Sequence, residues 1–345
     1  MKQRLEFIDG LRGVAILLVV LYHSYVRWPE FVGHQFADSP LAQGKMGVEL
    51  FFMISGFVIF MSLDRSHGIG DFVWRRWLRL FPAMLAVTIL VFFTASMFSR
   101  PMGQPVVRDL LPGLTFIEPG WWEWIIGSRQ GMLEGSFWSL FVEVKFYLFV
   151  CLVYNLFNGW AAIIALASVS LAPPVIHLFV ATPPVVAEVT EFLDSSFWLW
   201  FAAGALHYKF ALSRHRVLFA LAFALSLLAA FRMEPEFRPG AIAMALLFAA
   251  AQLPGPLRTL LASRPLFFLG SVSYPLYLMH ENMMVGMIVS LKAAAPWIPA
   301  AALPAIPFAL VLTLAWVVAR HVEPPLRQML VRMRGAAGPA PSPGR

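Results

Sequence analysis

The stretch LRGVAILLVVLYHSYV, Leu11 to Val26, is almost purely apolar, yet it carries Arg12 near its start and His23 eleven residues on. At about 100° per residue, eleven residues come to three turns plus roughly 20°. The guanidinium and the imidazole therefore share one helical face, about 16 Å apart along the axis. Ionisable groups inside an apolar run are costly, and by default they face a bundle interior or a watery cavity. Two readings stay open on these residues alone. In one, Arg12 anchors the helix at a membrane surface and His23 packs against a neighbour. In the other, the two belong to one site.

More such groups follow along the chain. GVELFFMISGF sets Glu49 at the mouth of a second apolar run, with Ser55 and Gly56 deeper. FVWRRWLRLFP holds Arg75, Arg76 and Arg79, read as the first inner loop. Three guanidinium groups can bind phosphates bidentately, or they can anchor the loop on lipid headgroups. GSFWSLFVEVKFYLF places Glu143 inside a fourth apolar run, with Ser139 and Tyr147 one turn to either side on the same face. A carboxylate there needs a partner from another helix. Lys145 falls on a different face. SVSYPLYLMHENM sets Ser273, Tyr277 and His280 at i, i+4 and i+7, one stripe of a continuous helix.

The elements that carry these groups follow from composition. The 345 residues are 59% hydrophobic and 13% charged, with a mean hydropathy of +0.73. A soluble domain carries about 25% charge and roughly 45–50% apolar residues. Apolar runs of about 17–25 residues recur, where barrel strands would show about ten alternating ones. The predicted fold is an all-α polytopic membrane bundle with spans near 12–28, 47–63, 80–98, 136–156, 160–181, 197–212, 217–232, 239–253, 265–290 and 297–320. About ten helices put both termini on one side. Of the 26 Lys and Arg, 17 then fall on the inner side, 8 on the outer side, and Lys145 lies within a helix. That bias predicts cytoplasmic termini. The net charge of +7 does not point to nucleic acid, because the basic residues are scattered over short loops. Cys151, the single cysteine, permits no intrachain disulfide. GWWEWIIG reads as an interface stretch, where indole rings partition well. Residues 1–334 read as one membrane domain and 335–345, rich in Gly, Pro and Ala, as a disordered cytoplasmic tail.

Taken in order, these motifs resemble the acyltransferase-3 family of integral membrane O-acyltransferases, which modify bacterial surface and secreted glycans. FIDGLRGVAILLVVLYH resembles its first signature, with the Arg-to-His spacing met by Arg12 and His23. GVELFFMISGF, RRWLRLFP, WSLFVEVKFY, SYPLYLMH and HVEPPLR resemble later ones. The resemblance covers residues 5–330. It implies a multi-pass protein of the bacterial inner membrane, a cytoplasmic acyl-CoA donor, acetyl-CoA first among them, and no metal. It also implies an acceptor hydroxyl on an envelope or exported polysaccharide, or on a lipid-linked glycan. His23 is then the catalytic histidine and Arg12 its essential companion; a nearby carboxylate, Glu49 or Glu143, would orient the ring. Arg75, Arg76 and Arg79 line the CoA entrance. Ser139, Tyr274, Tyr277 and His280 are candidates for holding substrate or a developing oxyanion. Val144 and Lys145 stand where the fourth signature usually has a second acid and a glutamine, and Pro275 stands where a small polar residue is common.

The chemistry expected is general base catalysis. An alcohol is a poor nucleophile near neutral pH, and a histidine that removes its proton as attack begins is worth typically 10²–10⁴-fold. A variant route acylates His23 transiently and passes the group across the bilayer. A transporter or export partner for a polysaccharide or lipid-linked sugar is the alternative reading, because intramembrane Arg, Glu and His also mark transport pathways. HQFAD, His34 to Asp38, matches a short acyltransferase pattern by coincidence, since it falls in an outer loop.

Overall fold

The computed structural model describes residues 6–128 and 130–336. Twelve helices of ten residues or more form the frame among them, and no strand occurs among them. They are α1 (Glu6–Tyr25), α2 (Gly47–Leu63), α3 (Ile69–Phe93), α4 (Trp138–Leu156), α5 (Gly159–His177), α6 (Trp198–Ser213), α7 (Arg216–Phe231), α8 (Arg238–Ala251), α9 (Arg264–Tyr277), α10 (Asn282–Ala294), α11 (Ala305–Val317) and α12 (Glu323–Ala336). One apolar cluster runs through the bundle. Away from it, Leu148, Leu152 and Leu156 form an exposed stripe one turn apart on α4. A water-facing helix would not carry that stripe, whereas a lipid-facing one would.

Among the described residues, six stretches are long and apolar enough to cross a membrane: Glu6–Tyr25, Pro40–Leu63, Ile69–Phe93, Gly135–Leu156, Gly159–His177 and Ala305–Arg334. Of the remaining expected spans, α6, α7 and α8 are helices of 16, 16 and 14 residues. At 1.5 Å per residue these fall short of the roughly 30 Å hydrocarbon layer.

Three boundaries differ from the sequence expectation in ways that matter for the site. The span expected at 80–98 starts at Ile69 instead, so the arginine block is helical rather than a loop. Its interleaved aromatics explain this: Trp74, Trp77 and Phe81 stack along one side of α3, with ring centroids 5.3 and 4.3 Å apart. The span expected at 265–290 is broken into α9 and α10 by a turn at residues 278–281. Pro275 lies in the last turn of α9 and cannot donate an N–H to the ladder there. The last expected span, 297–320, begins only at Ala305 and passes through a π-helical turn, Val318–Val322, into α12. The expected tail lies, from residue 337 onward, outside the described residues.

Two close helix contacts set the frame of the site. α1 lies against α9, and α2 against α6. At the first contact, a Cβ on Gly270 would sit 1.9 Å from the Asp9 carbonyl oxygen, and one on Gly13 would sit 2.3 Å from that of Leu266. Only glycine lets the backbones meet so closely, the usual device for packing helices in lipid. The contact holds Arg12 of α1 on the same cavity as Ser273, Tyr274 and Tyr277 of α9.

Candidate active site

α1, α2, α3, α4 and α9 enclose a cavity of about 790 Å³, part of it open to the surroundings. Val48, Phe51, Ile54, Val58, Leu80 and Leu140 give it an apolar wall. Its polar groups divide between two ends.

Arg12, Arg76 and Arg79 stand at one end. Arg12 Nη1 donates to Asp9 Oδ1 at 2.7 Å. Arg76 Nη2 donates to Ser62 Oγ at 2.8 Å, and its buried Nε has no partner among the described residues. Arg79 lies 3.8 Å from Glu323 of α12 and over the ring of Tyr274. The Arg79 side chain is 43% exposed, whereas Ser139 and Tyr277 at the far end are 6% and 7% exposed. The guanidinium end is therefore the mouth. Partly freed guanidinium groups at an apolar mouth suit a phosphate-bearing ligand with a long arm.

Glu143 lies between the ends. Its Oε1 accepts from Ser55 of α2 and, at 2.5 Å, from Tyr147 OH one turn along α4. Two hydroxyl donors on one oxygen hold the carboxylate in place without a cation in direct contact. The partner expected from another helix is thus a hydroxyl, Ser55, joined by a second hydroxyl from α4 itself.

At the deep end, Ser139 Oγ and Tyr277 OH are 2.7 Å apart. Behind Tyr277 lies an imidazole pair that does not line the cavity. The His280 ring centroid is 5.0 Å from that of Tyr277 and 4.6 Å from that of His23. His280 Nδ1 is 2.7 Å from the Tyr277 carbonyl, and His23 Nδ1 is 2.9 Å from the Val19 carbonyl. A carbonyl only accepts, so both rings carry hydrogen on Nδ1. His280 Nε2 is 3.2 Å from His23 Nδ1 and shares that hydrogen. The lone pair of a neutral His23 is then on Nε2, which faces Glu281 Oε1 at 3.6 Å.

The turn between α9 and α10 presents His280 and Glu281. It is held by Glu134, whose two carboxylate oxygens accept the amide N–H of Asn282 at 2.5 Å and of Met283 at 2.8 Å. These amides open α10 and have no helical partner of their own. Asn282 Nδ2 adds a bond to the Leu133 carbonyl at 3.0 Å. Burial pushes the Glu134 carboxyl up, to about 8, against Arg100 and the two amides, which pull it down.

The cavity thus brings together Arg12, Arg76, Arg79, Ser139, Glu143, Tyr274 and Tyr277 from the residues singled out in the sequence. Tyr274 OH donates to the Leu80 carbonyl at 3.0 Å. Arg75 is elsewhere: it is half exposed and paired with Asp71 at 2.8 Å. Glu49 is buried in the first turn of α2 with Oε2 unpartnered, and it does not line the cavity. Lys145 ties two outer segments together, 2.6 Å from Glu118 and 2.7 Å from Asp194. Glu281 and Glu134 escaped the sequence reading. The run His280-Glu281-Asn282 was the available signal, because three consecutive polar residues in an apolar span sit poorly in an unbroken helix. Among the described residues, no group of three or more His, Cys, Asp or Glu is placed to hold a metal ion.

A family model described as an acyltransferase domain matches residues 5–320. Among curated proteins, O-acetyltransferase OatA of Staphylococcus aureus (strain NCTC 8325 / PS 47) is 28% identical over 156 residues, 42% of this chain and 24% of that protein. A protein of Komagataeibacter xylinus named "Putative membrane-bound transacylase BcsY" is 33% identical over 158 residues, 43% of this chain and 37% of that protein. The matches therefore span about a quarter to two-fifths of these relatives' own length. No solved structure matches.

Proposed function

Because the chain belongs to the acyltransferase-3 family, we propose that it is an O-acyltransferase that moves an acyl group, acetyl or succinyl, from cytoplasmic acyl-CoA to a hydroxyl of an envelope or exported polysaccharide. In this reading it is a multi-pass protein of the bacterial inner membrane with both termini in the cytoplasm. The excess of Lys and Arg in the loops assigned to that side supports the orientation. The observation that carries the proposal is the sequence of groups across the bundle. Three guanidiniums stand at the mouth of an apolar cavity, and a hydroxyl pair at its deep end backs onto His280, His23 and Glu281.

Each part has a task. Arg12, Arg76 and Arg79 bind the phosphates of CoA at the mouth, and the pantetheine arm lies along the apolar wall. The thioester reaches Tyr277 and Ser139, whose hydroxyls donate to the carbonyl oxygen as it gains charge. His23 Nε2 takes the proton of the acceptor hydroxyl as its oxygen attacks the thioester carbon. The imidazolium so formed faces Glu281, which stabilises it, and the Val19 carbonyl keeps the tautomer fixed. Collapse of the tetrahedral species expels CoA as thiolate, which takes up the proton. Tyr277 and, behind it, His280 stand between the cavity and His23, so these rings must shift for the two halves to meet, the phenol hydroxyl keeping its hold on the thioester oxygen.

The test uses the purified full chain in lipid with labelled acetyl-CoA and succinyl-CoA and a glycan acceptor. Loss of thioester together with an acylated glycan is expected, and His23→Ala should lose both while staying folded. Acceptor crossing the bilayer without acylation would instead make the chain a transporter.

A further inference from the structure

A second cavity lies on the other side of α1 and α2, at the same end of the bundle as the arginine mouth. It holds about 640 Å³. Arg65 follows the end of α2, one turn beyond Ser62, which bonds Arg76 of the first cavity. Arg214 caps α6, and Arg258 comes from the short helix Pro256–Leu261. All three guanidinium-bearing residues line this cavity. Arg258 lies over the Phe7 ring at 5.2 Å and Arg214 over the Phe210 ring at 5.5 Å. Among the described residues, neither Arg65 nor Arg258 has an ion-pair partner. Tyr208, whose hydroxyl donates to Asp64 at 2.7 Å, also lines it, and Phe7, Phe57, Met61, Ala211 and Leu212 give an apolar wall.

One further group marks the cavity as built for a ligand. Gln252 lines it while being 2% exposed. Its Nε2 is committed to His207 Nδ1 at 2.6 Å, and its Oε1 has no partner among the described residues. A buried acceptor left open costs free energy unless something donates to it.

We propose that this cavity binds the headgroup of an anionic glycerophospholipid from the leaflet at that face. The phosphate lies among Arg65, Arg214 and Arg258, a headgroup hydroxyl donates to Gln252 Oε1, and the upper acyl chain covers Phe57, Met61 and Leu212. Topological anchoring explains basic residues scattered along a membrane face. It does not require arginines from three separate elements to converge on one cavity that also has an apolar wall. A soluble phosphate would satisfy the arginines but leave that wall unfilled, so the lipid is the better source.

Native mass spectrometry of the full chain in detergent tests the site with phosphatidylglycerol, phosphatidylcholine of the same chains, and soluble glycerol 3-phosphate. Phosphatidylglycerol should be retained in preference to phosphatidylcholine. Arg65→Ala with Arg258→Ala should weaken it about 30-fold, the loss expected for two surface cations. Ala211→Phe keeps every charge but fills the apolar part, and it should weaken the lipid as well, which covers the case in which the double variant folds poorly. Equal binding of both lipids, or unchanged phosphatidylglycerol binding in a folded double variant, overturns the proposal. Glycerol 3-phosphate binding as tightly as the lipid overturns the lipid assignment in favour of a soluble phosphate.

Discussion

His23 and Glu281, 258 residues apart in the chain, meet with 3.6 Å between Nε2 and Oε1. α1 supplies the imidazole from its last turn, and the turn between α9 and α10 supplies the carboxylate. The backbone carbonyl of Val19 fixes the other nitrogen of the ring, so the lone pair of the neutral ring can point only one way. His23→Gln should reduce kcat by about 10²–10⁴-fold, the range for loss of a general base. Glu281→Gln should reduce it at least about tenfold with an unaltered donor KM, since it acts on the imidazolium and not on CoA. Steady-state kinetics with both variants in the same lipid decides this; equal kcat for wild type and His23→Gln would remove the base from its role.

The three neighbouring arginines of α3 should separate in their effects. Arg76→Ala and Arg79→Ala each remove a charged donor from the cavity mouth, worth about 1.5–3 kcal/mol, so donor KM should rise about 10–100-fold. Arg75→Ala removes an exposed ion pair with Asp71 and should change KM by less than about threefold. Donor titrations of the three variants provide the check, and a large effect at Arg75 alone would reverse the assignment.

Glu134 touches no cavity wall, yet it ties down the turn that carries His280 and Glu281. Glu134→Ala leaves two buried amides without acceptors, at about 1–3 kcal/mol each. Thermal unfolding should start at lower temperature. In the protein that remains folded, kcat should fall while donor KM holds. A variant with unchanged kcat would show that the turn keeps its shape unaided.

Lys145 offers the opposite case. Its ammonium is 9% exposed and joins Glu118 to Asp194, which makes it a brace for the outer segments. Lys145→Met should lower stability by about 1–3 kcal/mol, because both carboxylates stay partly in solvent. Donor KM should be that of the wild type. A changed KM at full stability would place the residue in the chemistry after all.

Much of the arginine mouth was legible in the sequence because lipid makes each polar side chain in a span expensive, so such residues stand out. Arg12, Glu143, Ser139 and Tyr277 were found on that ground, and their shared cavity follows from helix packing around Gly13 and Gly270. Arg75 could not be told from Arg76 while the block was read as a loop. Once it is helical, the two point about 100° apart. The break at 278–281 holds neither glycine nor proline, and its signals, Pro275 and the run His280-Glu281-Asn282, also fit a kinked continuous helix. A continuous helix of period 3.6 put His280 on the stripe of Ser273 and Tyr277, and so left Glu281 on another face. Glu134 was out of reach altogether, since its partners are backbone amides, which every residue but proline offers.

Tyr277 touches the donor cavity on one side and His280 on the other, and this arrangement bears on economy. In the proposed reaction, a thioester waiting at Ser139 has a phenol ring between itself and the base that could activate water. An enzyme resting with its donor loaded and no sugar at hand would therefore squander little of it. The share of turnover lost to water should rise when that ring is trimmed to alanine, while transfer itself falls with the lost hydroxyl.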